Sequence, residues 1–232
     1  MREAISSAAA VEVVYLGAGA GGGAEGGPDE LAREAGVPVR FLGPGVIERV
    51  ASTVHPQPVL AVVAFLDVAL ATLAESTLVV MCDSVSDPGN AGTLLRSAEA
   101  AGAQGVIFGR GSVDVYNPKT VRASAGSLFH VPIVSGGDEV EVLADIGAWG
   151  LQRLGAVVAG GRSYTASDLR RPTALVLGSE AHGLSDRVLA GLDGTISIPM
   201  VGRSESLNVA MAGAVLCFEA ARQRRSAVTH QP

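Results

Sequence analysis

A chain of 232 residues, 48% hydrophobic and 17% charged with 30 glycines, is long and apolar enough to build one large folded domain or two unequal ones. That composition excludes a disordered polymer, and a formal net charge of −6 excludes a surface coated in basic residues for indiscriminate nucleic-acid binding. The charge is uneven: four arginines face nine acidic residues in 1–75, whereas thirteen basic residues nearly balance fourteen acidic ones in 76–232, so attraction to a polyanion belongs to the second part.

Taken in chain order, the start MREAISSAAAVEVVYLG lacks the long apolar stretch and small-residue cleavage site of an export signal, so the cytoplasm is the expected compartment. Val11 to Leu16 reads as a strand running into the tract GAGAGGGAEGG, and Pro28-Asp29-Glu30 opens a helix over LAREAG. VPVRF reads as a strand, PGVIERVAST as a helix and PVLAVVAF as another strand, a small α/β unit ending near Phe65. Asp67 to Ser76 reads as a connector. Leu60 to Leu73 is apolar, but Asp67 interrupts it and it is short for a bilayer span, so no membrane association is expected.

A second unit begins at Thr77. TLVVMCD is an apolar strand, Asn90 to Ala101 a helix and VIFG the next strand. The polar stretch DVYNPKTVRASAGSLFH precedes VPIV, a helix through Asp145 to Leu154, and the strands AVVAG, TALVLG and TISIPM. Strands apolar on both faces fit parallel βαβ packing. Leu207 to Arg222 reads as a long terminal helix, with Arg222, Arg224 and Arg225 favourably placed at its negative end. Cys82 and Cys217 stand alone in apolar runs, without CxxC or histidine-rich spacing, and read as buried free thiols; no metal site is expected.

Gly17-Ala18-Gly19-Ala20-Gly21-Gly22 matches GxGxxG after a strand. A dinucleotide fingerprint needs the turn to enter its helix at once, and here more glycines and Pro28 delay it, so the tract reads as a surface loop. Three polar loops just beyond apolar strands of the second unit are more informative, because the carboxyl ends of parallel strands gather loops into a binding crevice. The first is Asp87 to Arg96, in which Asn90 can cap a helix and Arg96 can offer a guanidinium to phosphate or ribose. The second, Leu177 to Ser185, combines glycines that permit close approach with Glu180, which can organise donors. The third, Ile198 to Ala210, places Ser206 and Asn208 at the start of the terminal helix, where capping competes with chemistry as their role. Met200 reads as a pocket wall or a core residue.

Together these loops resemble the three signature motifs of the SpoU/TrmH family of RNA 2′-O-ribose methyltransferases, within the SPOUT superfamily: NAGTLLR at 90–96, LGSEAHGLS at 177–185 and IPMVGRSESLNVAMAGAVLCFEA at 198–220. YNPKTVRASAGSLFHVPI adds to the resemblance, which spans about Thr77 to Arg225. It implies an α/β fold in which an α/β-knot domain with a deep trefoil knot occupies 76–232, preceded over 1–75 by a short L30e-like RNA-binding domain and connector. It implies S-adenosylmethionine as cofactor, held by Leu177, Gly178, Ser179, Glu180, Gly183, Ile198, Pro199, Met200, Ser206, Leu207 and Asn208. It implies methyl transfer to structured RNA, preferably 23S ribosomal RNA, with transfer RNA or non-enzymatic RNA binding as alternatives. Arg96 would act at the ribose hydroxyl, with Asn90, Glu180, Ser206 and Asn208 positioning RNA and reacting groups, and the enzyme would work as a homodimer. Arg96, Arg110, Lys119, Arg122, Arg162, Arg170 and Arg171, in or near polar connections, are the RNA-contact candidates.

Overall fold

The computed structural model describes residues 1–20, 27–51 and 55–228, and the chain divides into two compact units, Met1–Leu66 and Asp67–Pro232. In the first, α1 (Arg2–Ser6), β1 (Val11–Leu16), α2 (Pro28–Glu34), β2 (Val39–Phe41), α3 (Val46–Val50) and β3 (Val59–Val63) follow the strand and helix order read from the sequence, with α1 as an addition. The sheet order is β2-β1-β3, parallel between β1 and β2 and antiparallel between β1 and β3. Its small core gathers Val14 and Leu16 of β1 with Ala32 of α2. Gly21 and Gly22 of the glycine tract, and Ser52 and Thr53 of the expected second helix, lie outside the described residues.

In the second unit come β4 (Leu78–Cys82), α4 (Pro88–Ala100), β5 (Gly105–Phe108), α5 (Pro118–Ala123), β6 (Ile133–Ser135), α6 (Glu139–Ala148), β7 (Gln152–Ala156), β8 (Arg162–Ser163), β9 (Thr173–Leu177), α7 (Asp186–Ala190), β10 (Gly194–Ser197) and α8 (Val209–Val228). All strand pairs are parallel, in the order β6-β5-β4-β9-β7-β10-β8. Every residue of β4 and β9 is buried, which explains why β4 reads as an unbroken apolar run and β9 as one from Ala174 onward. α6 covers one face through Val142, Leu143 and Ile146 against Val79, Met81, Ile107 and Val176. α8 lies against α4 and β9, and Gly213 permits the approach: a Cβ there would stand 2.3 Å from the Leu94 side chain and 2.8 Å from that of Leu177.

Two expectations need correction. The helix read as running through Leu154 ends at Ala148, because Gly150 turns the chain at φ +85° and residues from Gln152 join the sheet beside β9. Residues 67–75, read as a connector, pack with the second unit: the Val68 amide donates to the Ile133 carbonyl and Leu73 lies over Gly105 in the core.

Arg224 does more than complement a helix dipole. Its guanidinium donates to the carbonyls of Leu169, Thr77 and Arg171 at 2.8–2.9 Å and to the Thr77 hydroxyl at 3.2 Å, tying α8 to the segments that enter β4 and β9. Hydrogen bonds from a charged donor contribute roughly 1.5–3 kcal/mol each and overlap when shared. Arg224→Met is therefore expected to lower unfolding free energy by about 2–4 kcal/mol, seen as a lower urea midpoint at unchanged slope; an unchanged midpoint would remove this role.

Candidate active site

The strand order reverses direction between β4 and β9, which makes the space beyond their carboxyl ends a topological switch point, where open parallel sheets bind ligands. The two ends are locked together. The buried Asp83 donates its amide to the Leu177 carbonyl at 2.8 Å and accepts the Ser185 amide on Oδ2 at 3.1 Å. Ser84 follows in a left-handed conformation, φ +59°, an unfavourable state for a residue with a Cβ. The chain then enters α4, and here the structure corrects the sequence reading: Asp87, not Asn90, is the cap, its Oδ1 accepting the Asn90 amide at 2.8 Å. Asn90 lies inside the first turn, so its side chain is available for other partners.

Those partners come from the other two loops. Asn90 Nδ2 donates to Glu180 Oε1 at 2.8 Å, while Asn90 Oδ1 accepts from Asn208 Nδ2 at 2.9 Å. Asn208 Oδ1 in turn accepts the Ala210 and Met211 amides and caps α8. Glu180 also accepts the Ser86 and Asp87 amides and the Ser86 hydroxyl, each at 3.3 Å. A single chain of hydrogen bonds thus joins the three polar loops, and its direction is fixed because a carboxylate can only accept. Burial pushes the Glu180 carboxyl pKa up, but hydrogen bonds from the Asn90 side chain and from the Glu180, Ser86 and Asp87 amides outweigh it and hold the pKa below the ordinary value. The stabilisation from this lowered pKa is complete above the unfolded glutamate value, about 4.3, and is lost as pH falls through the lower folded one. Glu180→Gln is expected to abolish that acid-side dependence of loop order, measured by hydrogen exchange of the Ser86 and Asp87 amides; an unchanged profile would place the titrating group elsewhere.

Beneath this chain lies a cavity of about 630 Å³. Of the eleven residues expected to hold a ligand, Leu177, Gly178, Ser179, Glu180, Gly183, Ile198, Met200, Ser206, Leu207 and Asn208 line it, and Pro199 does not. Ala156, Val157 and Val158, at the end of β7, form a wall that the sequence reading missed because nothing local announces that β7 lies beside β10. Gly178 and Gly183 close the near side, where Ser179 and Gly183 exchange amide–carbonyl bonds at 2.8 and 3.0 Å. A Cβ on Gly178 would stand 2.2 Å from the Gly183 carbonyl carbon, so only glycine fits. Among the described residues no lysine or arginine lines the cavity, and Glu180 and Glu205 are the carboxylates that do.

The basic candidates lie elsewhere. Arg96 is exposed on α4, makes no hydrogen bond or ion pair with a described residue, and does not line the cavity. Arg110 follows β5, while Lys119 and Arg122 lie on α5. Arg162 and Arg171 line a separate cavity, and Arg170 is ion-paired with Asp168 at 2.7 Å. Cys82 and Cys217 are free and buried, and burial raises both pKa values, that of Cys217 to about 12, which leaves two unreactive thiols.

Comparison with known proteins places this architecture. The profile of the SpoU rRNA Methylase family matches residues 77–218. The 23S rRNA (guanosine(2553)-2′-O)-methyltransferase RlmP of Bacillus subtilis (strain 168) is 34% identical over 191 residues, 82% of this chain and 75% of that protein. A 23S rRNA (uridine(2479)-2′-O)-methyltransferase of Streptomyces viridochromogenes is 39% identical over 160 residues, 67% of this chain but only 56% of that protein. Among solved structures, the SpoU methyltransferase AviRb from Streptomyces viridochromogenes in complex with AdoMet superposes with a TM-score of 0.85 at 31% identity, covering 97% of this chain and 87% of that one. With the profile extending from β4 into α8, and with the likeness to AviRb extending over both units, the chain belongs to the SpoU rRNA methylase family.

Proposed function

We propose that this protein transfers a methyl group from S-adenosylmethionine to a ribose 2′-hydroxyl of structured RNA, with 23S ribosomal RNA as the preferred substrate, in the cytoplasm. The observation that carries the reading is the hydrogen-bonded chain Glu180–Asn90–Asn208, which draws all three motif loops to the rim of one cavity. That cavity suits the cofactor. Its volume lies in the usual range for small-molecule sites, Ile196, Ile198, Met200, Leu207 and Leu216 offer apolar walls to an adenine, and carboxylates without a lysine or arginine suit a cationic sulfonium. When bound, S-adenosylmethionine supplies an electrophilic methyl carbon.

The residues of the chain do the rest. Leu177, Gly178, Ser179, Gly183, Ile198, Met200, Ser206 and Leu207 hold and orient the cofactor, while Glu180, Asn90 and Asn208 set the loop geometry and Ser206 helps to position the ribose. Arginine stays protonated at neutral pH, so Arg96 acts on the 2′-hydroxyl by electrostatic activation and by orienting a neighbouring RNA phosphate that takes up the hydroxyl proton, not as a free base. RNA contact extends over Arg96, Arg110, Lys119, Arg122, Arg162 and Arg171. Residues 1–66 form a short L30e-like RNA-binding domain, and 67–232 the methyltransferase domain, whose carboxyl end is threaded as a trefoil knot. The position of β9 between β4 and β7, in the middle of the sheet, supports that threading. Mapping ribose methylation in ribosomal and transfer RNA treated with purified protein and cofactor tests the function. Modification confined to transfer RNA would reassign the substrate, and RNA binding without methylation would reject the enzyme.

A homodimer completes the active site. Its support is that Arg96 lies outside the cavity of its own chain, while Met211, Val215 and Phe218 present one exposed apolar face of α8. A partner covering that face would bring the two RNA sites into one assembly. Met211→Arg with Phe218→Asp is expected to shift sedimentation to the monomer and to remove methyl transfer with it; a fully active monomer would reject this arrangement.

A further inference from the structure

A second cavity, of about 540 Å³, lies toward the β8 edge of the sheet and is lined by residues that include Arg153, Arg162, Ser167, Asp168, Arg171 and Thr195. None of its charged groups lines the cavity beyond β4 and β9. Two of its three arginines differ from the third in what they bind. Arg153 is committed to Asp193, to which its Nη2 and Nε donate at 2.7 and 2.9 Å and its amide at 2.7 Å. Asp168, the other carboxylate of the lining, is engaged by Arg170 through Nε at 2.7 Å and Nη2 at 3.1 Å. Each carboxylate therefore has its own guanidinium partner. Arg162 and Arg171 make no hydrogen bond or ion pair with a described residue through their side chains, although the charge of Arg171 is felt by both Asp168 and Asp193.

With Asp193 paired to Arg153 and Asp168 paired to Arg170 outside the lining, the concave wall keeps Arg162 and Arg171 as uncompensated guanidiniums, which concentrates positive potential even on an acidic protein. Guanidinium groups match the oxygens of a phosphate in charge and in donor geometry. We infer that this cavity is a phosphate-binding pocket, with Arg162 and Arg171 as its ligands, and that its occupant in the working enzyme is an RNA backbone phosphate distant from the methylated nucleotide. This rests on the RNA-directed function proposed above. It divides RNA contact into two separate places: one around Arg96, Arg110, Lys119 and Arg122, the other at the β8 edge. Arg170, saturated by Asp168, is outside the ligand set even though it is adjacent to Arg171 in sequence.

That asymmetry supplies the test. RNA affinity of the full chain is measured across a range of salt concentrations for wild type, Arg162→Gln, Arg171→Gln and Arg170→Gln, with S-adenosylhomocysteine binding as a check on folding. Loss of one phosphate contact lowers the salt slope by about 1 and weakens RNA binding severalfold. Arg162→Gln and Arg171→Gln are each expected to show that loss, Arg170→Gln less than a twofold one, and all three normal S-adenosylhomocysteine binding. An equal loss in Arg170→Gln would mean diffuse charge attraction and overturn the pocket. Unchanged affinity in Arg162→Gln and Arg171→Gln, with wild type binding RNA, would overturn it and leave the RNA-directed function standing. Inorganic phosphate supplies a separate arm, read by the fluorescence of Trp149, the only tryptophan, which sits between the cavity-lining Gly147 and Gly150. Phosphate quenching that Arg171→Gln abolishes, in a protein that binds no RNA, would replace the RNA occupant by a free phosphate and reject the RNA-directed function.

Discussion

Methyl transfer by an Arg96→Ala variant is expected to fall by about 10²–10³-fold at saturating RNA and cofactor, the cost of removing one oriented donor from a site of developing charge. Folding and cofactor binding should be unaffected. The side chain is exposed, has no described partner to leave unsatisfied and does not line the cavity of its own chain. Arg96→Lys separates charge from geometry. Lysine keeps the positive charge but loses the planar multi-donor fork, so a lysine variant as impaired as alanine would establish positioned guanidinium chemistry, and a largely restored one would reduce the role to attraction. Single-turnover measurements are required, because weakened RNA binding would otherwise imitate lost chemistry. Near-normal single-turnover transfer by the alanine variant would exclude Arg96 from the reaction.

The parts of this molecule that were legible in its sequence are those encoded locally. The apolar runs of β4, five residues, and β9, four residues after Thr173, announced buried parallel strands, and three loops rich in glycine and polar residues announced the crevice. The remainder depends on pairings distant in sequence. No local signal places β9 between β4 and β7, and for that reason the Ala156–Val158 wall was missed. The Asn90 side chain was read as a cap because residue type and position before an apolar run favour capping. Asp87 took that role three residues earlier, and Asn90 instead joins residues 90 and 118 positions away. The helix expected to reach Leu154 shows the same competition in reverse, since Gly150 breaks it and the sheet captures Gln152 to Ala156.

Gly178→Ala is expected to weaken S-adenosylmethionine binding by more than about 100-fold, the equivalent of roughly 3 kcal/mol. The added methyl would need to occupy a point 2.2 Å from the Gly183 carbonyl carbon and 2.4 Å from both its oxygen and the Leu184 nitrogen. All three obstacles are backbone atoms, so no rotamer change relieves them. The loop must open, breaking the paired bonds between Ser179 and Gly183 and displacing Glu180, which is only two residues away. Because Glu180 holds Asn90, the disturbance also reaches the RNA side of the crevice. Gly183→Ala provides the contrast. No atom of a described residue lies within 4 Å of its would-be Cβ, and its cost is the left-handed backbone at φ +70°, about 1–2 kcal/mol, or a roughly 5- to 30-fold loss if it falls entirely on the bound loop conformation. Calorimetric titration of both variants with S-adenosylhomocysteine, alongside urea unfolding, separates loop damage from global instability. If Gly178→Ala binds the ligand as tightly as wild type, the loop at 178–183 does not form the cofactor wall, and the assignment of the 630 Å³ cavity must be withdrawn.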